Sequence, residues 1–185
     1  METVKSCCAH SPRAAEQPVQ PSVGGPFALL DHHGAPVTEA DWRGRYMLMF
    51  FGFTNCQVVC PRALARISDA MRLLGLPGQA IAPLYISVDP ERDTPEVMQR
   101  YLAERAPAIT GLTGSREQVD AMVKAYRVFA RRVEDPDAPG GYVVPHTAMT
   151  YLFGPDGTYV AHFSDAIDAA ELALRLRALL PACVD

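Results

Sequence analysis

Tyr46-Met47-Leu48-Met49-Phe50-Phe51-Gly52-Phe53 is an unbroken apolar run, bounded by Gly44 before it and Thr54-Asn55 after it. Its length and aromatic content are those of a strand buried on both faces, which places it at the centre of a parallel or mixed sheet. Directly beyond it comes Cys56-Gln57-Val58-Val59-Cys60-Pro61. Pro61 suits the first turn of a helix, where its missing N–H would have had no carbonyl partner. Leu64, Ile67, Met71 and Leu74 then recur at helical spacing up to Gly75. Strand, cysteine loop and helix are one unit, and the rest of the fold is read outward from it.

Downstream, Ala80 to Val88 is a second buried strand, and Thr94-Pro95-Glu96 is a helix start with a capping hydroxyl, a proline and an acid facing the positive end of the helix dipole. That helix runs to about Arg105, and another spans Ser115 to about Tyr126. Met149 to Phe153 and Thr158 to Phe163 read as strands joined by the turn Gly154-Pro155-Asp156-Gly157. Ala169 to Leu180 is an amphipathic helix with Leu172, Leu176 and Leu179 on one stripe. Upstream, Phe27 to Leu30 and a strand around Pro36-Val37 flank the turn Asp31-His32-His33-Gly34, with Asp41-Trp42-Arg43-Gly44 as connector. The order is a hairpin, β-α-β-α-α, a hairpin and a helix. It predicts an α/β fold, a thioredoxin-like three-layer sandwich with a central mixed sheet and an N-terminal β-hairpin.

The chain has 185 residues, 49% of them hydrophobic and 21% charged, which fits one domain plus a tail. Residues 1–26 carry Pro12, Pro18, Pro21 and Pro26 among small polar residues and read as a flexible tail or linker, leaving 27–183 as the domain. A net charge of −4 without a run of Lys or Arg argues against a nucleic-acid partner. No stretch is apolar for long enough to cross a bilayer, and Met1 to Ser22 lacks the apolar core of a secretory signal. A cytosolic protein and one separated from its anchor both remain open on that ground. Five cysteines do not form an even framework; Cys7, Cys8 and Cys183 read as peripheral thiols, and Cys7-Cys8-Ala9-His10 as a tail feature rather than a second metal site.

Cys56 and Cys60 lie between the carboxyl end of a central strand and a helix N-terminus, the place where open α/β sheets carry their sites. The partial positive charge there favours thiolate, the form that attacks disulfides and ligates metal. Two residues separate the cysteines of thioredoxin-type redox pairs; here three intervene. That wider loop can close a disulfide, and it can also splay two sulfurs around one soft ion such as copper(I). A third ligand must then come from elsewhere. His146, in Val143-Val144-Pro145-His146-Thr147 just before a strand, is the best placed, whereas His32, His33 and His162 read as ordinary turn and strand residues.

Three motifs now resemble one family. Phe51-Gly52-Phe53-Thr54-Asn55-Cys56 with Cys60-Pro61, then Tyr85-Ile86-Ser87-Val88-Asp89-Pro90-Glu91-Arg92-Asp93-Thr94-Pro95-Glu96, then His146-Thr147-Ala148-Met149-Thr150-Tyr151-Leu152 with Pro155-Asp156-Gly157 are similar to the signatures of the Sco (SenC) family, in the same order. The resemblance implies a thioredoxin-like fold with copper(I), and in some states copper(II), on Cys56, Cys60 and His146. It also implies assembly of the binuclear copper centre of cytochrome c oxidase. The partners it implies are the copper-accepting oxidase subunit, with another copper chaperone or a thioredoxin-like reductant as further candidates. The expected location is the periplasmic side of a membrane, tethered to it. Asp89 matches a family carboxylate near the site, where it would tune the metal; the alternative is that it closes the turn before Arg92.

The chain departs from the family pattern twice. Gln57-Val58-Val59 replaces the usual Pro-Asp-Val, and Pro145 replaces an Asp before the histidine. Losing both carboxylates is expected to weaken copper(II) more than copper(I). A metallochaperone that is not an enzyme is the first reading. A thiol–disulfide oxidoreductase, with Cys56 and Cys60 as its catalytic pair, is the alternative. Only the first needs His146. A peroxiredoxin-like peroxidase is disfavoured, since no Thr and Arg stand at peroxidase spacing.

Overall fold

The computed structural model describes residues 23–180, and every structural statement below concerns those residues. Cys7, Cys8, His10 and Cys183 lie outside them, as does most of the proposed tail. The strands are β1 (Ala28–Asp31), β2 (Pro36–Thr38), β3 (Tyr46–Gly52), β4 (Ile81–Ser87), β5 (Thr110–Thr113), β6 (Val133–Glu134), β7 (Tyr142–Val143), β8 (Met149–Phe153) and β9 (Tyr159–Ser164). The helices are α1 (Val59–Leu74), α2 (Pro95–Arg105), α3 (Arg116–Ala125) and α4 (Ala169–Leu179). None is long and apolar enough to cross a membrane.

Seven strands form one sheet in the order β2-β1-β5-β4-β3-β8-β9. β3 pairs parallel with β4 from Tyr46↔Ile81 to Gly52↔Ser87, and antiparallel with β8. The apolar run is thus the central strand that its composition predicts. Its alternation divides the core: Met47, Met49 and Phe51 join Leu84, Ile86, Val119, Met122 and Tyr126 on the α3 side. Leu48 and Phe50 join Leu64, Ile67, Tyr85, Leu172 and Leu176 on the side of α1 and α4. This is the three-layer α/β sandwich, and β1 and β2 are its N-terminal hairpin.

Two features depart from the expected order. β5 lies between α2 and α3, pairing parallel with β4 and antiparallel with β1, so it joins the N-terminal hairpin to the main sheet. Thr110-Gly111-Leu112-Thr113 holds one large apolar residue and no readable alternation; pairing, rather than propensity, makes it a strand. Its glycine is needed for packing, since a Cβ at Gly111 would stand 2.7 Å from Leu102 of α2. The second addition is the small antiparallel pair β6–β7, two residues a strand, too short to leave a period in the sequence.

The helix starts follow from their caps. Thr94 Oγ1 accepts from the Val97 N–H at 3.4 Å, Ser115 forms a capping box with Gln118, and Asp168 Oδ1 accepts from Glu171 N–H at 2.8 Å. α1 is the exception. Its cap residue, Val58, has no side-chain acceptor.

Candidate metal centre

The parallel pairing of β3 and β4 brings two loops out at the same edge: Phe53 to Val58 after β3, and Val88 to Thr94 after β4. Thr54 ties them together, its N–H and hydroxyl donating to the Asp93 carboxylate, the hydroxyl at 2.6 Å. The chain then turns at Phe53–Cys56, where Cys56 N–H donates to Phe53 carbonyl at 3.2 Å, and enters α1.

The missing cap of α1 is supplied by sulfur. Cys60 N–H donates to Cys56 Sγ at 3.4 Å, so the thiol does for an orphan N–H of the first turn what a Ser or Asp does elsewhere. Both cysteines are free, Cys56 half-buried and Cys60 fully buried. Hydrogen bonding from the Cys60 side chain draws the Cys56 thiol down to about 5 against its burial, with the backbone N–H groups of Cys60, Val58 and Val59 adding to the pull. Donating to Cys56 and being buried push the Cys60 thiol far up, against a weaker pull from the Phe53 backbone. The pair is therefore split into an accessible thiolate and a buried thiol.

His146 approaches from the other side. Its Nδ1 lies 2.8 Å from the Val144 carbonyl, which can only accept, so Nδ1 carries the proton and Nε2 keeps its lone pair. Nε2 stands 4.0 Å from Cys60 Sγ. The ring meets Phe53 edge-on, with centroids 5.6 Å apart. The His146 segment is held by the stretch before β6: Ala130 bridges His146, Arg131 N–H donates to Pro145 carbonyl at 3.1 Å, and Thr147 N–H donates to Phe129 carbonyl at 2.9 Å. An apolar cavity of about 260 Å³ opens here, lined by Cys56 and His146 together with Phe53, Val59, Val144 and Pro145. A larger cavity, about 530 Å³, lies around Arg66 and Asp165, and none of these ligand candidates lines it.

Two soft sulfurs and one imidazole nitrogen with a free lone pair suit copper(I). Among the described residues no group of three or more His, Cys, Asp or Glu side chains is already drawn together tightly enough to hold an ion. The cysteines and His146 converge without closing.

Asp89 is fully buried and takes no direct part in this convergence. Its carboxylate is bound by Arg92 Nε and by the Tyr142 hydroxyl at 2.9 Å, and its carbonyl accepts Arg92 N–H at 3.1 Å, closing the turn. Arg92 passes the connection on. It donates to Pro139 and Tyr142 carbonyls at 2.9 and 3.2 Å, lies 3.7 Å over the Tyr142 ring and 5.7 Å from the Phe53 ring. His32 and His33 are engaged with Gly111 N–H and Gln99, and His162 with Tyr159.

Two residues with a bearing on the site were not foreseen. Asp93, buried and accepting from Thr54 and Ser87, has its carboxyl raised by desolvation against those hydrogen bonds. Its signal in the sequence is an acid in a loop following a buried strand, one it shares with Asp89 in the same motif. Tyr85 is the other. A phenol in a strand buried on both faces has to find a polar partner or go without, and that was the clue.

The SCO1/SenC family profile matches residues 15–181. The human protein "Protein SCO1 homolog, mitochondrial" is 40% identical over 161 residues, covering 83% of this chain; the chain spans about half (52%) of that relative's length. Among solved structures, Bradyrhizobium japonicum ScoI with copper bound superimposes with a TM-score of 0.79 at 39% identity, covering 86% of this chain and all of that one. Arabidopsis thaliana ScoI with copper bound gives a TM-score of 0.81 at 33% identity, covering 85% of this chain and 98% of that one.

Proposed function

The chain belongs to the SCO1/SenC family, and from that premise and the geometry above we propose that it is a metallochaperone carrying copper(I) on Cys56, Cys60 and His146. The observation that carries the proposal is the approach of His146 Nε2, its lone pair free, to Cys60 Sγ at the mouth of the cysteine loop. That the Bradyrhizobium and Arabidopsis relatives hold copper supports the choice of metal. The recipient is the copper-accepting subunit of cytochrome c oxidase, and the protein works tethered at the periplasmic side of a membrane.

The cargo meets the half-buried Cys56 thiolate first. Cys60 then exchanges its proton, released to solvent, for a bond to the metal, and His146, already in the right tautomer, supplies nitrogen. The open cavity beside Cys56 lets an acceptor thiolate approach and replace these ligands one at a time. Copper stays coordinated during this hand-off, in which only bonds to the metal break.

The split thiols favour one second reading, a thiol–disulfide oxidoreductase. The Cys56 thiolate attacks an acceptor disulfide, forming a mixed disulfide and releasing one acceptor thiolate. Cys60, once deprotonated, attacks the Cys56 sulfur, releasing the second and leaving a Cys56–Cys60 disulfide. The acceptor gains the two electrons that the pair loses.

A copper(I) titration of the reduced protein against a competing chelator, with Cys56→Ser and His146→Ala alongside, separates the readings. One tightly held copper per chain, lost in either variant, supports the chaperone. Weak binding indifferent to His146, in a protein that reduces disulfides well, gives the oxidoreductase.

A further inference from the structure

Phe50 and Tyr85 are register partners in β3 and β4, and both project onto the α1 side of the sheet. Their rings stack with centroids 6.3 Å apart, and Tyr101 of α2 stacks on Tyr85 at 6.1 Å. Tyr85 is wholly buried, and its hydroxyl has no hydrogen-bond partner. A buried hydroxyl left in that state costs free energy that a phenylalanine would not incur. The residue needs a reason to be a tyrosine.

The reason lies across Gly52. A Cβ placed on Gly52 would stand 2.8 Å from Cys60 Sγ and 2.8 Å from the Tyr85 oxygen, and the nearest atoms to that point all belong to these two side chains. By lacking a side chain, Gly52 leaves the hydroxyl and the sulfur bordering the same small space, which any Cβ would fill.

We propose that the Tyr85 hydroxyl donates a hydrogen bond to Cys60 Sγ when that sulfur is a thiolate ligand, making Tyr85 a positioning residue that tunes the site. The inference rests on the metallochaperone reading for its copper part only. A hydrogen bond to a thiolate withdraws charge from sulfur and weakens its donation to the metal. Copper(II), which depends on that donation more, loses more than copper(I). Tyr85 therefore biases the site toward the reduced cargo, a role compatible with the two carboxylates missing at Val58 and Pro145. The Phe50 and Tyr101 rings on either side keep the phenol from turning away.

Tyr85→Phe removes one oxygen and leaves the packing alone, so the variant folds as stably as the parent. In the copper(II) form its sulfur-to-copper charge-transfer band moves to longer wavelength, and the ratio of copper(I) to copper(II) affinity falls several-fold. Tyr101→Phe, whose hydroxyl is also unpartnered, leaves both unchanged. A band and a ratio identical in Tyr85→Phe and wild type overturn the proposal. If wild type binds no copper at all, the chaperone reading fails, and the rate at which Cys60 closes its disulfide with Cys56 in the metal-free protein decides the role of Tyr85. Closure of the Cys56–Cys60 disulfide passes through the Cys60 thiolate, so loss of the hydrogen bond to it slows closure several-fold in Tyr85→Phe, and an unchanged closure rate refutes the proposal.

Discussion

His146 Nε2 and Cys60 Sγ, 86 residues apart in the chain, lie 4.0 Å from one another. The cysteine is fixed in the first turn of a helix packed on the sheet. The histidine sits in a loop between short elements, so its position depends on what anchors that loop. Besides the stretch before β6, Arg92 anchors it from the other loop: it joins Asp89, at the cysteine end of the sheet, to the Pro139 and Tyr142 carbonyls on the histidine side.

Arg92→Lys tests that anchor while keeping the charge beside buried Asp89. A lysine cannot reproduce the planar fork or its stacking on Tyr142. With one or two such hydrogen bonds lost, worth roughly 1 kcal/mol each, copper(I) affinity should fall about tenfold. Alkylation of Cys56 should proceed as in wild type, because Arg92 makes no hydrogen bond to the cysteine loop. A chelator competition and an iodoacetamide time course read both quantities. Unchanged affinity would show that the His146 segment is held without Arg92.

The Cys56 thiol, drawn to about 5 chiefly by the hydrogen bond from Cys60, gives a second expectation. The rate of alkylation should be flat from neutral pH down to about pH 6 and halve near pH 5, where an ordinary thiol, with a pKa of about 8.5, is almost wholly protonated. Cys60→Ala removes the leading cause, so its inflection should move to higher pH. A wild-type profile that climbs through pH 8 would remove the basis for the accessible thiolate.

Much of this molecule could be read from residues alone, and the limits follow from where the information is local. The central strand was legible because eight consecutive apolar residues admit few environments, and α2 because Thr94-Pro95-Glu96 is a self-contained start. β5 was not, since Thr110–Thr113 is a strand only by virtue of its neighbours β4 and β1. The same distinction divides the site. Cys56, Cys60 and His146 stood out by residue type and loop position, and the fold brings them together. The partnerships of Asp89 with Tyr142 and of Tyr85 with the space beside Gly52 are long-range contacts with no local signature.

Asp93 yields a prediction about stability. Burial raises its carboxyl, so its ionised form is less favoured in the folded protein than in the unfolded chain. Its own contribution to stability is therefore greatest below the unfolded pKa and declines as pH rises through the folded one. Asp93→Asn abolishes this titration and leaves donors from Thr54 and Ser87 poorly matched, at a cost of about 1–3 kcal/mol. Denaturant unfolding of both proteins across acid to neutral pH should show the gap between them widest at the acid end. A gap that widens toward neutral pH would mean the carboxylate is stabilised in the fold, contrary to its burial.

Val58, 65% exposed and without a capping side chain, is where this chain departs most plainly from the Pro-Asp-Val pattern of its family. Val58→Asp would place an acceptor at the N-cap of α1. Pro61 has no N–H to offer, so the new carboxylate would compete for Cys60 N–H, the donor that Cys56 Sγ now holds. Capping should stabilise the helix by about 1 kcal/mol. The added negative charge and the diverted donor should both move the Cys56 alkylation inflection to higher pH. A hard oxygen near the sulfurs should raise affinity for copper(II) more than for copper(I). Chelator competitions with each oxidation state give the ratio directly. If it does not move while the inflection does, the carboxylate acts on the thiol alone, and the explanation of this chain's departure as a bias toward copper(I) falls.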